Sequence, residues 1–485
     1  MKIYRIHLVL LLVCLIFLPT YSFAQDSIAI TQIKSGKTIQ IIPIKVTSES
    51  ATCRYNGKEF TLPMDSLTEA SRQQLEDWAK SSASASHETC EKINTAIGQP
   101  LFQPGTSLWL EDAAEVAGRL KWKRESLTKD SSSFRHYPKP SYGLANAHPY
   151  CCTLYGGAEE KTTSLSIVFA NKGDYGSNVG QGEDHFKPKG NLPSASSLNG
   201  AIQLDIKAIS AALIEALGQP TEQRYGEKDN RRKVKRWDYD DHAFILSERE
   251  NEYAHMLVVP CETADNEGKV KFVKDQELRQ LLSTNITQHE NGDVYIDNIP
   301  MVDQGPKGYC APATFERSMR YMLVPADMYL LATIATKQGG GTNTRLLAEE
   351  AKRIIRSKAR RIKDLSLEKD LSIRHISRYI DKGVPILWQM ASLKKYNDAA
   401  NQLTEKRKSV EDFGEWATTI ATEAEKLAPD LNNLDKHHIC MIIGYNEQTS
   451  EIAVSDSWGP RYGLRWVHID IAKAVTSRGG FVIDL

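Results

Sequence analysis

The apolar positions of this chain change their spacing from segment to segment, and each change predicts a different element. Residues 8–18 are continuously apolar, preceded by Lys2 and Arg5 and followed by Ser22-Phe23-Ala24. A charged start, a short apolar run and small residues form the layout of a signal peptide. Residues 1–24 are therefore expected to be cleaved off before Gln25. No later run reaches the length of a membrane span. Short β-rich runs at 38–46 and 51–55 are bounded by the turn sequences Lys34-Ser35-Gly36-Lys37 and Asn56-Gly57-Lys58. They predict hairpins in a small β module over 25–80.

Ser81-Ser82-Ala83-Ser84-Ala85-Ser86 is small and polar, which predicts a linker over 81–92. Residues 93–262 read as an α+β region, with helical spacing at 113–120 and 206–217, a strand at 164–170, a long loop at 173–193 and a hairpin from Lys233 to Val259. Ile97-Gly98-Gln99-Pro100 returns as Leu217-Gly218-Gln219-Pro220, a hint of a duplicated unit. The basic run Arg231 to Arg236 is interrupted by Val234 and followed by Trp237, the pattern of a strand with one solvated face. Residues 263–297 read as a polar, helical connector to a last domain, 298–485.

In that domain Phe315, Met319 and Met322 recur at helical spacing, with Pro312 suited to a first turn, so Cys310 sits at a predicted helix N-terminus. There the helix dipole favours the thiolate. His437-His438 opens the apolar run Ile439-Cys440-Met441-Ile442-Ile443-Gly444-Tyr445, and the next β-rich run ends in Asp456-Ser457-Trp458-Gly459. If the two runs pair as a hairpin, His438 lies beside Asp456, where a carboxylate can fix the imidazole tautomer. Strand alternation lets only one of His437 and His438 face the helix. Residues 391–435 are a charged helical insertion with Leu403, Val410, Phe413, Trp416 and Ile420 as its apolar stripe, read as a lid, a docking surface or a packed decoration.

Gln304 six positions before Cys310, His438 six positions before Gly444-Tyr445, and then Asp456-Ser457-Trp458-Gly459 resemble the papain-like cysteine peptidases. The Cys310-Ala311-Pro312-Ala313-Thr314 helix start is similar to the branch of bacteriocin-leader (double-glycine) peptidases. The resemblance covers about residues 290–485. It implies Cys310 as nucleophile, His438 as general base and acid, Asp456 as the group orienting it, and Gln304 with the Cys310 N–H as oxyanion hole. Trp458 would shield the imidazole–carboxylate bond. Tyr309 departs from the small or polar residue usual before the nucleophile and is expected at the cleft. Gly340 and Gly341, in a Gly-rich turn without the ending of a phosphate loop, are expected to border the substrate. The 25–80 module resembles the SH3-like Sla-one homology modules, which implies a small barrel that binds a partner.

The fold class expected is therefore α+β multidomain: an SH3-like barrel, a middle α+β region and a papain-like domain with a helical half and an antiparallel sheet. Lys plus Arg and Asp plus Glu each number 61, so net charge makes no case for nucleic acid or an anionic membrane as partner. Without Cys14 the cysteines are an odd set, which suits one free thiol and up to three disulfides in an exported protein. No cofactor is expected. A metal site from His148, Cys151 and Cys152 has no second ligand pair to complete it. The function read from these residues is an exported, periplasmic or secreted cysteine peptidase acting on a protein or peptide. The small module or the helical insertion would take any protein partner. Two other classes keep the same residues: an acyl transferase or amidase using the triad on another amide, and a binding protein on a silent peptidase fold.

Overall fold

The computed structural model describes residues 27–56, 58–139, 141–175, 195–227, 231–269, 273–305, 307–335 and 342–485, except for the side chains of 81–86. The signal peptide expected over 1–24, most of the 173–193 loop, and Gly340 and Gly341 lie outside the described residues. The chain forms two compact units, 1–88 and 89–485.

In the first unit β1 (Ile28–Thr31), β2 (Thr38–Val46), β3 (Ser50–Tyr55) and β4 (Lys58–Pro63) form an antiparallel meander in that order. Gly36 turns the first hairpin at φ +60°. Ile30, Ile41, Ala51 and Cys53 line the core, with Leu75 from the following helix. That helix runs Glu69–Ile97, so the linker expected over 81–92 is helical instead. Alanines and polar residues tolerate a helix, and no Gly or Pro interrupts the segment until Gly98, at φ +73°, and Pro100.

The second unit holds two eight-stranded sheets. Its first sheet comprises β5 (Lys123–Leu127), β6 (Ser132–His136), β7 (Cys151–Gly156), β8 (Thr162–Asn171), β9 (Thr221–Tyr225), β10 (Arg232–Tyr239), β11 (His242–Arg249) and β12 (Tyr253–Pro260). The order β5-β6-β7-β8-β12-β11-β10-β9 is two antiparallel meanders joined through their last strands. Each meander follows a helix that ends in Gly-Gln-Pro, Glu69–Ile97 before the first and Leu198–Leu217 before the second. The two junctions differ, since Leu198–Leu217 leads directly into β9 while a further helix, Ala113–Leu120, comes before β5. One sheet face packs on these helices through Phe169, Trp237 and Phe244 against Ile93, Ile202 and Leu213. On the other, Tyr150, Cys151 and Val168 pack against Val302, Tyr309 and Tyr329. Residues 93–262 are therefore not a separate domain, because an apolar sheet face needs the following segment to cover it.

The second sheet comprises β13 (Ile286–Gln288), β14 (Asp293–Ile296), β15 (Arg361–Leu365), β16 (Ile386–Ala391), β17 (His437–Asn446), β18 (Glu451–Ser455), β19 (Arg465–His468) and β20 (Thr476–Asp484). The expected helical connector 263–297 contributes β13 and β14, and β14 pairs with β17. Asn291-Gly292 turns that hairpin, and Asp293 is held by Arg407. β17 also pairs with β16 and β18, with a register shift between Ile442 and Gly444. Gly444 is needed there, since a Cβ would stand 2.5 Å from the Val294 carbonyl oxygen.

The insertion forms helices Lys394–Arg407 and Phe413–Leu427. Leu403, Trp416 and Ile420 of its stripe are buried in the main core. Thr404 Oγ1 accepts the Trp466 N–H at 2.8 Å, and Arg407 pairs with Glu451 at 2.8 Å. The insertion is packed onto the sheet, which excludes a free-hanging lid.

All seven described cysteines are unpaired, so the expected disulfides are absent among the described residues. Cys151 and Cys152 are strand neighbours whose side chains enter opposite faces of the first sheet. They cannot share a partner or a metal ion with His148. Among the described residues no helix is long and apolar enough to cross a membrane.

Candidate active site

Helix Cys310–Tyr321 is buried along most of its length, and its polar side chains grip the sheet it covers. Thr314 Oγ1 donates to the Ile439 carbonyl at 3.1 Å, one residue from His438. Arg317 lies two turns after Cys310 and is 1 % exposed. Its Nε donates to the Pro300 carbonyl at 3.0 Å, and its two terminal nitrogens reach Ser455 Oγ at 2.6 Å and Ser457 Oγ at 3.3 Å. One guanidinium thus joins the Cys310 helix, the segment before Gln304 and the loop after β18. Burial lowers its pKa to about 10, with Asp456 opposing the shift.

Alternation along β17 leaves His437 exposed and buries His438. His438 Nε2 meets Asp456 Oδ1 at 2.6 Å. The ring also lies close enough to the Cys310 thiol for each to shift the other's protonation. Trp458 stacks on the imidazole, with ring centroids 4.8 Å apart and planes inclined by 26°. Asp456 follows directly on β18, and its N–H donates to the Tyr462 carbonyl at 2.9 Å. Its second oxygen is taken by Arg465.

Arg465 is buried, with the Trp458 and Tyr462 rings each 5.5 Å from its guanidinium carbon. Its Nη1 donates to Asn397 Oδ1 and Asn401 Oδ1, both at 3.3 Å and both on the first inserted helix. The insertion therefore supports the carboxylate that faces His438. Sequence reasoning passed over Arg465 and Arg317. Their only signal was an arginine among apolar neighbours, Leu464 and Trp466 in one case and Phe315 and Met319 in the other.

The electrostatics follow from these pairings. Burial raises the Cys310 pKa, but the hydrogen bond and charge of His438, aided by backbone groups of Ile439 and Ala311, outweigh it and hold the thiol below its ordinary value. Burial opposes the charged form of His438 too, yet Asp456 and Cys310 carry its pKa up to about 10. For Asp456 burial is outweighed by His438 and Arg465, and the carboxyl stays below its usual range. The balance favours a thiolate beside an imidazolium, the state in which a cysteine attacks a carbonyl carbon.

Gln304 donates its backbone N–H to the Ser457 carbonyl at 2.8 Å, one residue from Asp456. Its side-chain Oε1 is buried without a hydrogen-bond partner among the described residues. Tyr309, expected at the cleft, is instead 3 % exposed. Its ring stands edge-on to Tyr329 at 5.4 Å in the apolar seam against the first sheet. A tyrosine fits before Cys310 because that seam is there to take the ring. Among the described residues no cluster of His, Cys, Asp and Glu could hold a metal ion.

Residues 296–476 match the model of the Peptidase_C39 like family. The matched region is similar to the cysteine peptidases of that family, and it spans Gln304, Cys310, His438, Asp456 and Arg465. The first eight-stranded sheet lies outside it, while the residues that this sheet packs against in the seam, Val302, Tyr309 and Tyr329, lie inside. Among curated proteins nothing matches the chain.

Proposed function

We propose that the protein is an exported cysteine peptidase that hydrolyses peptide bonds through a thioester acyl-enzyme. The Cys310 thiolate attacks the peptide carbonyl, and the carbonyl electron pair moves onto oxygen. The Gln304 side-chain amide and the Cys310 N–H stabilise that oxyanion. The C–N bond then breaks as the His438 imidazolium gives its proton to the leaving amine. Neutral His438 next takes a proton from water, the hydroxide attacks the thioester, and the released acid regenerates the thiolate. Asp456 fixes the ring so that Nε2 faces the carboxylate and Nδ1 is left for sulfur.

The observation that carries this reading is a buried His438 held by Asp456 and covered by Trp458, beside a cysteine that opens a helix. The leader-like residues 1–24 support export, and the four-stranded meander is read as an SH3-like module for a protein partner.

A thiol-directed activity probe tests the reading. Wild type is expected to label at Cys310 and Cys310→Ala not at all, and mapping of new N-termini in a treated proteome should show cleaved peptide bonds. Equal labelling of both proteins, or a proteome without new termini, would remove the peptidase.

A further inference from the structure

The first eight-stranded sheet has no part in the chemistry above, yet its polar side chains converge on the backbone of one residue, Asp303. Glu125 Oε1, on β5, accepts the Asp303 N–H at 2.9 Å. Tyr137, just after β6, donates its hydroxyl to the Asp303 carbonyl at 2.5 Å. The Gln304 N–H is held from the opposite side by Ser457. Both polar ends of the peptide joining 303 to 304 are thus fixed by groups from two different sheets. Ser126 Oγ accepts the Met301 N–H at 3.0 Å, a second hold on the same segment. Gly305 closes the turn at φ +65°, and a Cβ there would meet the Tyr137 ring at 3.6 Å.

The Glu125 carboxylate is itself immobilised. Arg135 Nε lies 2.9 Å from each of its oxygens, and Ser133 Oγ donates to it at 3.2 Å. The far end of Arg135 spans both oxygens of Glu316 at 2.9 and 3.0 Å. Glu316 belongs to the nucleophile helix, six residues beyond Cys310. Glu125, Arg135 and Glu316 are all buried. The chain of contacts therefore begins on the Gln304 loop and ends on the Cys310 helix, the two segments that carry the oxyanion donors.

We propose that this sheet is a built-in support for the oxyanion hole, with Glu125, Arg135 and Tyr137 as positioning residues that set the Gln304 amide against the Cys310 N–H. The inference rests on the reading of Gln304 as an oxyanion donor. Its physical basis is that a donor works only when aimed at the developing charge, and that a misplacement of about 1 Å costs on the order of 100-fold.

Two reactions of Cys310 in the full-length protein separate this role from general folding. Alkylation by iodoacetamide is a displacement at a saturated carbon and needs only the thiolate. Acylation by 4-nitrophenyl acetate passes through an oxyanion: the sulfur–carbon bond forms, the ester C–O bond breaks, and nitrophenolate leaves. Signal at Cys310 is isolated by subtracting Cys310→Ala. Glu125→Gln and Tyr137→Phe are expected to alkylate as wild type while acylation slows about tenfold, toward a loss of about 100-fold in Gln304→Ala. Unchanged acylation overturns the proposal, and so does an equal fall in both rates, which would mean ordinary destabilisation. Tyr137→Phe removes one hydroxyl and keeps the test open if the Glu125 variant does not fold. A wild type inert in both reactions would instead sink the catalytic reading, and the support role with it.

Discussion

Two of the buried arginines that hold carboxylates in this protein, Arg135 and Arg465, do so to different ends. Arg135 bridges Glu125 and Glu316 and ties one sheet to the helix of the next. Arg465 holds Asp456, whose other oxygen faces His438, so this second cluster contains a group able to give up a proton. In the first cluster the ion pairs join two separate elements. In the second a fixed charge disciplines a mobile one.

The sharpest break in this comparison is Asp456→Ala. It leaves Arg465 without its carboxylate and His438 without an anchor, and turnover is expected to fall about 10⁴-fold in a peptide-cleavage assay. Next comes Arg135→Met, which strands Glu125 and Glu316. Urea unfolding should show a loss of about 3–5 kcal/mol, and charge-neutral Glu125→Gln and Glu316→Gln in the same chain should recover part of it.

Arg465→Met removes a positive charge near the imidazolium and frees Asp456 to turn. Turnover should drop about 10- to 100-fold with the alkaline limb of the pH–rate profile displaced upward, and Arg465→Lys should restore the position of that limb. For wild type that limb lies near pH 10, where His438 loses its proton. The sign for stability follows from the same shift. His438 has a raised folded pKa, so its contribution is complete below about 6.5, the ordinary histidine value, and is lost as pH rises through about 10, which pH-dependent unfolding can follow. The smallest effect expected is Asn401→Ala, about two- to threefold in turnover, because Asn397 still holds the guanidinium.

The local parts of the site were legible in the chain. His438 and Asp456 flank one hairpin, so pairing rules bring them together without knowledge of the rest. The Phe315 and Met319 spacing placed Cys310 at a helix start in the same way. What joins distant segments was not legible. Glu125 and Asp303 are separated by 178 positions, and nothing in either neighbourhood names the other. Arg465, between Leu464 and Trp466, reads like any polar residue of a strand until Asn397 and Asn401 are seen beside it. The 81–92 segment misled through composition: serines suggested a linker, while the absence of Gly and Pro let the helix continue.

The account depends above all on the protonation state of one sulfur. The most direct measurement is the pH dependence of iodoacetamide alkylation at Cys310 in wild type and in His438→Ala. The wild-type thiol is expected to react at pH values below its ordinary value of 9.0, and the substitution to remove this advantage. A wild-type sulfur that becomes reactive only near that ordinary value, with the same profile in His438→Ala, would contradict it.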